Sequence, residues 1–282
     1  MLIANALSEL AANPAPALQN LLQAPASPNA TGNFAAANIE QIVRPTGTIT
    51  RTLPGSVQAG WNTDVILNDG TGIVTIAAPA GVALDGVTAG TTLIFPRQRA
   101  RFFYDTDGWR TVWVERSPIL GTIAIPSGSP VASADLALPL GYTAFELIVH
   151  GLKVGTAGAI LYARLSEDGG STYHAGSDYN GSLTEFYNAT AYTAYSTMSA
   201  LAVTGQLGTA STWGTARGII TPGGNGLNAS ALFQASYYFT GGANATSTSG
   251  GNMSANANRQ NALRLLFVSG TGSFNAILRG IA

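Results

Sequence analysis

An all-β fold is expected of this chain: a short N-terminal helix, a small β-barrel or sandwich-like domain, then a jelly-roll-like β-sandwich. Three observations lead there. Short apolar–polar alternations recur, with turn signals about every 8–12 residues. The chain has 282 residues, more than one β-domain usually needs. And the stretch Ala159–Gly176, AILYARLSEDGGSTYHAG, alternates, turns at a glycine pair and leaves through Ser171-Thr172-Tyr173, the pattern of a β-hairpin. The expected division is 1–32, helix and linker; 33–116, first β-domain; 117–282, second β-domain.

Residues 2–12 carry Ile3, Leu7 and Leu10 on one helical stripe. Asn13-Pro14 ends it, because the residue before proline avoids the α region. So small a stripe needs a partner surface. Pro25–Gly32 (PASPNATG) reads as a linker. Strands are then expected at Gly47–Leu53, Asp64–Leu67, Gly72–Ile76, Thr91–Phe95, Ala100–Tyr104 and Trp109–Val114, the last two joined by a turn at Asp105–Gly108. Prolines 118, 126 and 130 mark a boundary. Beyond it, Phe145, Leu147 and Val149 alternate with Glu146, Ile148 and His150, a strand with two faces. The hairpin at 159–176 follows. Residues 176–230 read as a long Gly/Ser/Thr/Tyr stretch, Ser230–Thr240 as a strand and 241–258 as a low-complexity loop. Leu263–Val268 and Phe274–Ile281 read as a closing hairpin, which brings the second domain to about eight strands.

Composition narrows the function classes. Charged residues make up 10% of the chain, against roughly 25% in ordinary soluble proteins. Net charge is −1, so nothing electrostatic draws the chain to nucleic acid or an anionic membrane. A surface so poor in charge is best kept soluble by burial against other subunits. There is no cysteine, which removes disulfides, thiol catalysis and Cys-based metal sites. No apolar run is long enough to span a membrane, and the N-terminus lacks the basic start of a secretory signal.

The series VILNDGTGIVTIAAPAGV and LIFPRQRARFFYDTDGWRTV resembles small β-modules of bacteriophage fibres and other virion appendages, with a GxVTI-type strand and a final RFxYDxxxWxxV hairpin. The segment ARLSEDGGSTYHAG resembles a stretch common in phage virion proteins. The resemblance implies a virion location and a non-enzymatic head or tail fibre or spike subunit. It implies a homotrimer that ends in a receptor-binding domain, and the aromatic residues considered below make a host cell-surface glycan the expected receptor. Residues 1–32 would then dock on other virion proteins. A decoration protein without a ligand and a depolymerase-type tailspike are the rival readings.

The turn Ser166-x-Asp168-x-Gly170-x-Thr172 resembles an Asp-box. Its carboxylate is expected to bind backbone N–H groups of its own turn rather than a ligand. Catalysis has little support. His150 and His174 are the only histidines, and His150 is read as a structural residue within a strand. Asp105 and Asp107 fit an Asx-type turn better than a calcium site. Asp168, Asp178 and Glu185 are the carboxylates available for glycoside cleavage, but no spacing pairs them. No metal or cofactor is expected. The glycan candidates are Tyr179, Tyr187, Tyr192, Tyr195 and Trp213. Flat apolar ring faces stack on sugars, and these rings stand among Asn, Ser and Thr. Each ring taken singly fits a core or subunit interface at least as well.

Overall fold

The computed structural model describes residues 34–35, 42–55, 59–60, 66–115, 117–187, 190–209, 214–240, 242–254, 258–267 and 269–282, with the backbone alone at 34–35 and 190–197. The expected N-terminal helix and linker, and Trp213, lie outside these residues. The described chain is all-β. It divides into two compact units, Met1–Glu115 and Arg116–Ala282.

The first unit holds β1 (Phe34–Ala35), β2 (Ile42–Val43), β3 (Ile49–Thr52), β4 (Ile66–Asn68), β5 (Val74–Ala77), β6 (Ala83–Leu84), β7 (Val87–Thr88), β8 (Thr91–Ile94), β9 (Arg99–Tyr104) and β10 (Gly108–Val114). One sheet has the order β1-β3-β5-β8, the other β2-β4-β9-β10-β6-β7. From β1 to β5 the chain visits the two sheets alternately. Each return therefore adds a parallel neighbour: β1 beside β3, β3 beside β5, β2 beside β4. The winding is close enough to need glycine at Gly72, where a Cβ would collide with the Gly47 carbonyl oxygen. The amides of Thr71 and Gly72 both donate to the Pro45 carbonyl at 2.9 Å. The expected turn at Asp105–Gly108 does join an antiparallel pair, β9 and β10. Inward residues of both sheets, among them Ile49, Val74, Ile76, Ile94, Phe102 and Trp109, make one core.

The second unit holds β11 (Ile119–Ile125), β12 (Ser133–Ala137), β13 (Ala144–Val154), β14 (Leu161–Ser166), β15 (Tyr179–Tyr187), β16 (Thr190–Met198), β17 (Leu201–Ala202), β18 (Gly214–Thr221), β19 (Ser230–Tyr238), β20 (Asn244–Met253), β21 (Ala262–Phe267) and β22 (Gly272–Ile281). An eight-stranded sheet runs β11-β22-β13-β18-β19-β20-β15-β16, and a four-stranded sheet runs β12-β21-β14-β17. All neighbours in both are antiparallel. Phe145, Leu147 and Val149 of β13 are buried, as are Leu161, Ala163 and Leu165 of β14. A buried hydrogen bond ties the sheets where Ser249 Oγ in β20 donates to the Ala202 carbonyl in β17.

Several expectations change here. The stretch 159–176 is not a hairpin, because β14 pairs with β21 and β17 and has no partner strand at 171–176. After the turn the chain keeps a backbone hydrogen bond to β14, from the His174 amide to the Leu165 carbonyl at 3.0 Å, but forms no strand there. Tyr173 lies under the Arg264 guanidinium, 4.1 Å from ring centroid to carbon, and the next strand, β15, belongs to the other sheet. Likewise β21 and β22 are no closing hairpin, since they lie in different sheets. The proline-marked boundary contains β11, which pairs with β22. Most of the expected loops at 176–230 and 241–258 are strand. In β20 the inward residues are Ala245, Ser247 and Ser249, and the outward ones Asn244, Thr246 and Thr248. The period of two is intact, but small polar inward residues hide it from a search for apolar alternation.

Candidate functional site

The outer face of the eight-stranded sheet carries the most site-like surface. Its central strands present short polar side chains in register. Ile148 stands opposite Arg217, Arg217 opposite Gln234, and Gln234 opposite Thr248. In the next row Thr215 faces Ser236, Ser236 faces Thr246, and Thr246 faces Phe186. Between Val149 and Leu152 the register of β13 against β18 shifts, and Gly151 has φ 66°. A bulge of this kind bends a strand and re-aims its side chains. His150 sits at that bulge, within a strand as the sequence reading has it, and is exposed. The result is a groove of about 470 Å³ across β13, β18, β19 and β20.

One ion cluster borders the groove. Glu146 is buried although it lies on the outer side of β13. Arg217 donates to Glu146 Oε1 through Nε, and its Nη2 reaches the same oxygen. Arg279 Nη1 approaches the other carboxylate oxygen at 3.8 Å. The Arg217 side chain is 73% exposed while it holds Glu146, so much of it remains in solvent.

The rings chosen from the sequence are scattered by the fold. Tyr179 is fully buried, and its hydroxyl accepts the Leu165 amide at 2.8 Å. It completes the edge of β14 where the two-residue strand β17 ends, and so is a core residue rather than a surface platform. Tyr187 is half-buried and stacks on Phe239, centroids 4.1 Å apart at 19°. Tyr192 and Tyr195 lie on β16, in register with Glu185 and Ser182; their side chains, like Trp213, fall outside the described residues. The ring that the sequence reading passed over is Phe186, 50% exposed at the end of the Ser236–Thr246 row. Its neighbours Glu185 and Tyr187 carried the attention, yet alternation puts it on the opposite face from Leu183 and Glu185, which are buried.

The carboxylates considered for catalysis are each engaged locally. Glu185 is buried against Tyr237. Asp178 accepts the Ala175 amide at 2.9 Å, with His174 Nδ1 at 3.7 Å. Asp168 accepts the Ser166 hydroxyl at 2.6 Å and the Thr172 amide on both oxygens, at 2.9 and 3.0 Å. Thr172 Oγ1 donates as well. Gly169 and Gly170 supply the positive φ of this turn, 76° and 91°. Among the described residues no group of three His, Cys, Asp or Glu is placed to hold a metal.

The Ser166 hydroxyl, then the Thr172 side chain and amide, hold the Asp168 carboxyl well below the usual carboxylate range. A depressed folded value means stability that is present above the unfolded pKa of about 3.9 and lost as pH falls towards the folded one. The gap in melting temperature between the wild type and Asp168→Asn is therefore expected to be widest near neutrality and to shrink below about pH 4. Thermal melts across that range check it; a gap constant with pH contradicts the assignment.

Compared with family models, with curated proteins and with solved structures, the chain matches none of them.

Proposed function

We propose that this chain is a non-enzymatic structural subunit of a phage virion, part of a head or tail fibre or spike that adheres to a host cell-surface glycan. In this reading it is a homotrimer, residues 1–32 dock on other virion proteins, and the second unit is a jelly roll. Strand order is the observation that carries it. With β15, β16, β19 and β20 set aside, the remaining eight strands fall in chain order into one sheet of order 1-8-3-6 and another of order 2-7-4-5. That is a doubled Greek key, the plan of jelly rolls in viral capsid and lectin domains. The four added strands widen one sheet only, and the groove straddles the seam where β18 meets β19. The first unit, two sheets about one core, is sandwich-like and is read as the fibre module.

The trimer reading has its own support. Val87, Val112 and Trp113 of the first unit are 61%, 49% and 39% exposed. Large exposed apolar side chains, on a chain with so little charge, suit a surface covered by another subunit. Light scattering of the full chain is expected to give three chain masses at micromolar concentration, and a stable monomer contradicts this. A panel of bacterial envelope polysaccharides tests adhesion: the trimer is expected to retain at least one without shortening it. Retention of none favours a decoration protein, and shortening favours a depolymerase.

A further inference from the structure

The charge on the outer face of the eight-stranded sheet is one-sided. The strands of this sheet carry Glu146, Lys153, Glu185, Arg217 and Arg279 as their acidic and basic residues. Glu185 is buried on the inner side with Leu183. The outer face therefore sets three cations against the single carboxylate of Glu146, in a chain whose net charge is −1. Glu146 is already buried beneath Arg217 and Arg279. The other outward polar groups around the groove are the hydroxyls of Thr215, Ser236, Thr246 and Thr248, the Gln234 amide and the His150 imidazole, all able to pair with sugar hydroxyls. The groove volume falls in the range of about 300–1,000 Å³ typical of small-ligand sites.

We propose that this groove binds an acidic saccharide, with Arg217 taking the sugar carboxylate and His150, Gln234, Ser236, Thr246 and Thr248 its hydroxyls. The inference rests on the adhesion reading above and names the site and ligand class for it. Arg217 suits the task because a guanidinium offers donors in a fixed fork, and Glu146 uses only part of that fork. Being anchored by Glu146 also holds it in place before a ligand arrives, so less side-chain freedom is lost on binding. Phe186, opposite Thr246, gives an apolar ring at the end of the site on which a pyranose can stack.

The test uses the full chain and two probes of equal length and linkage, an oligoglucuronate and the matching oligoglucose, titrated calorimetrically. The oligoglucuronate is expected to bind at least tenfold more tightly, with affinity falling as salt rises. Gln234→Glu places a carboxylate in the middle of the groove on an exposed position and is expected to weaken oligoglucuronate at least tenfold, leaving the melting temperature unchanged. Arg217→Lys keeps the charge but loses the fork, and a several-fold loss is expected. Equal affinity for the two probes, or oligoglucuronate binding untouched by Gln234→Glu, overturns the proposal. Failure here with retention of an envelope polysaccharide in the panel assay overturns the groove assignment alone. Retention of no polysaccharide overturns the adhesion reading.

Discussion

Trp109→Ala is expected to destabilise the first unit by about 3–5 kcal/mol, the usual loss for a large aromatic ring removed from a core. Trp109 has no exposed surface. Its ring meets Tyr104 edge-on, centroids 5.3 Å apart, and its indole N–H donates to the Pro54 carbonyl at 3.1 Å. The mutation thus opens a cavity among Phe102, Ile94 and their neighbours and leaves a half-buried carbonyl without its donor. The unit has little to spare, because several of its strands are only two residues long and form short ladders. Hydrogen exchange on the full chain is expected to show lost protection across β3, β5 and β8–β10. Trp109→Phe, which keeps most of the volume, is expected to lose less than half as much. Protection unchanged in Trp109→Ala would mean that the ring is not the centre of this core.

Strands with large inward side chains were legible in the sequence. Residues of β3, β5 and β9 alternate, and so do Phe145, Leu147 and Val149 of β13 with their neighbours. The orientation of neighbours was not legible. Parallel pairing of β1, β3 and β5 depends on the chain crossing between sheets, and no turn residue marks such a crossing. The long strands of the second unit were hidden for a different reason. In β18 the inward residues begin Gly214, Ala216 and Gly218, and in β20 they are Ala245, Ser247 and Ser249. Small residues bury well between closely spaced elements, yet they look like loop to a search tuned to Leu, Ile and Val. The candidate site followed the same pattern. The alternation that buries Phe145, Leu147 and Val149 already placed His150 on the open face. Arg217 becomes a candidate only through its register with Gln234 and Ile148, which no local pattern contains. Aromatic content pointed to the eight-stranded sheet but not to its open side, since Tyr179 and Tyr187 face inward and Phe186 does not.

Glu185→Ala is the second large effect expected, in the second unit. Glu185 is 4% exposed on the inner side of β15. Its Oε1 accepts the Tyr237 hydroxyl from β19 and the Gln206 amide at 3.1 Å, so one oxygen holds a strand two places away and the loop after β17. The loop comes so close that a Cβ on Gly205 would collide with both side chains. Burial, and then the hydrogen bond to Glu185, pushes the Tyr237 phenol up, so it remains a neutral donor. Removing the acceptor leaves a buried O–H donor without the oxygen it donates to, at about 1–3 kcal/mol, and a partly buried amide with water as its remaining partner. With the cavity added, a loss of about 3–4 kcal/mol is expected for Glu185→Ala. Glu185→Gln keeps a carbonyl oxygen in the same place and is expected to lose about 1 kcal/mol. Tyr237→Phe removes the donor together with its need for an acceptor. Combined with Glu185→Ala it should therefore lose less than the two single changes added, by about 1–2 kcal/mol. Urea unfolding of the four variants measures that coupling. Strict additivity would mean that Glu185 and Tyr237 contribute separately, and that the loop after β17 is held by something other than this shared oxygen.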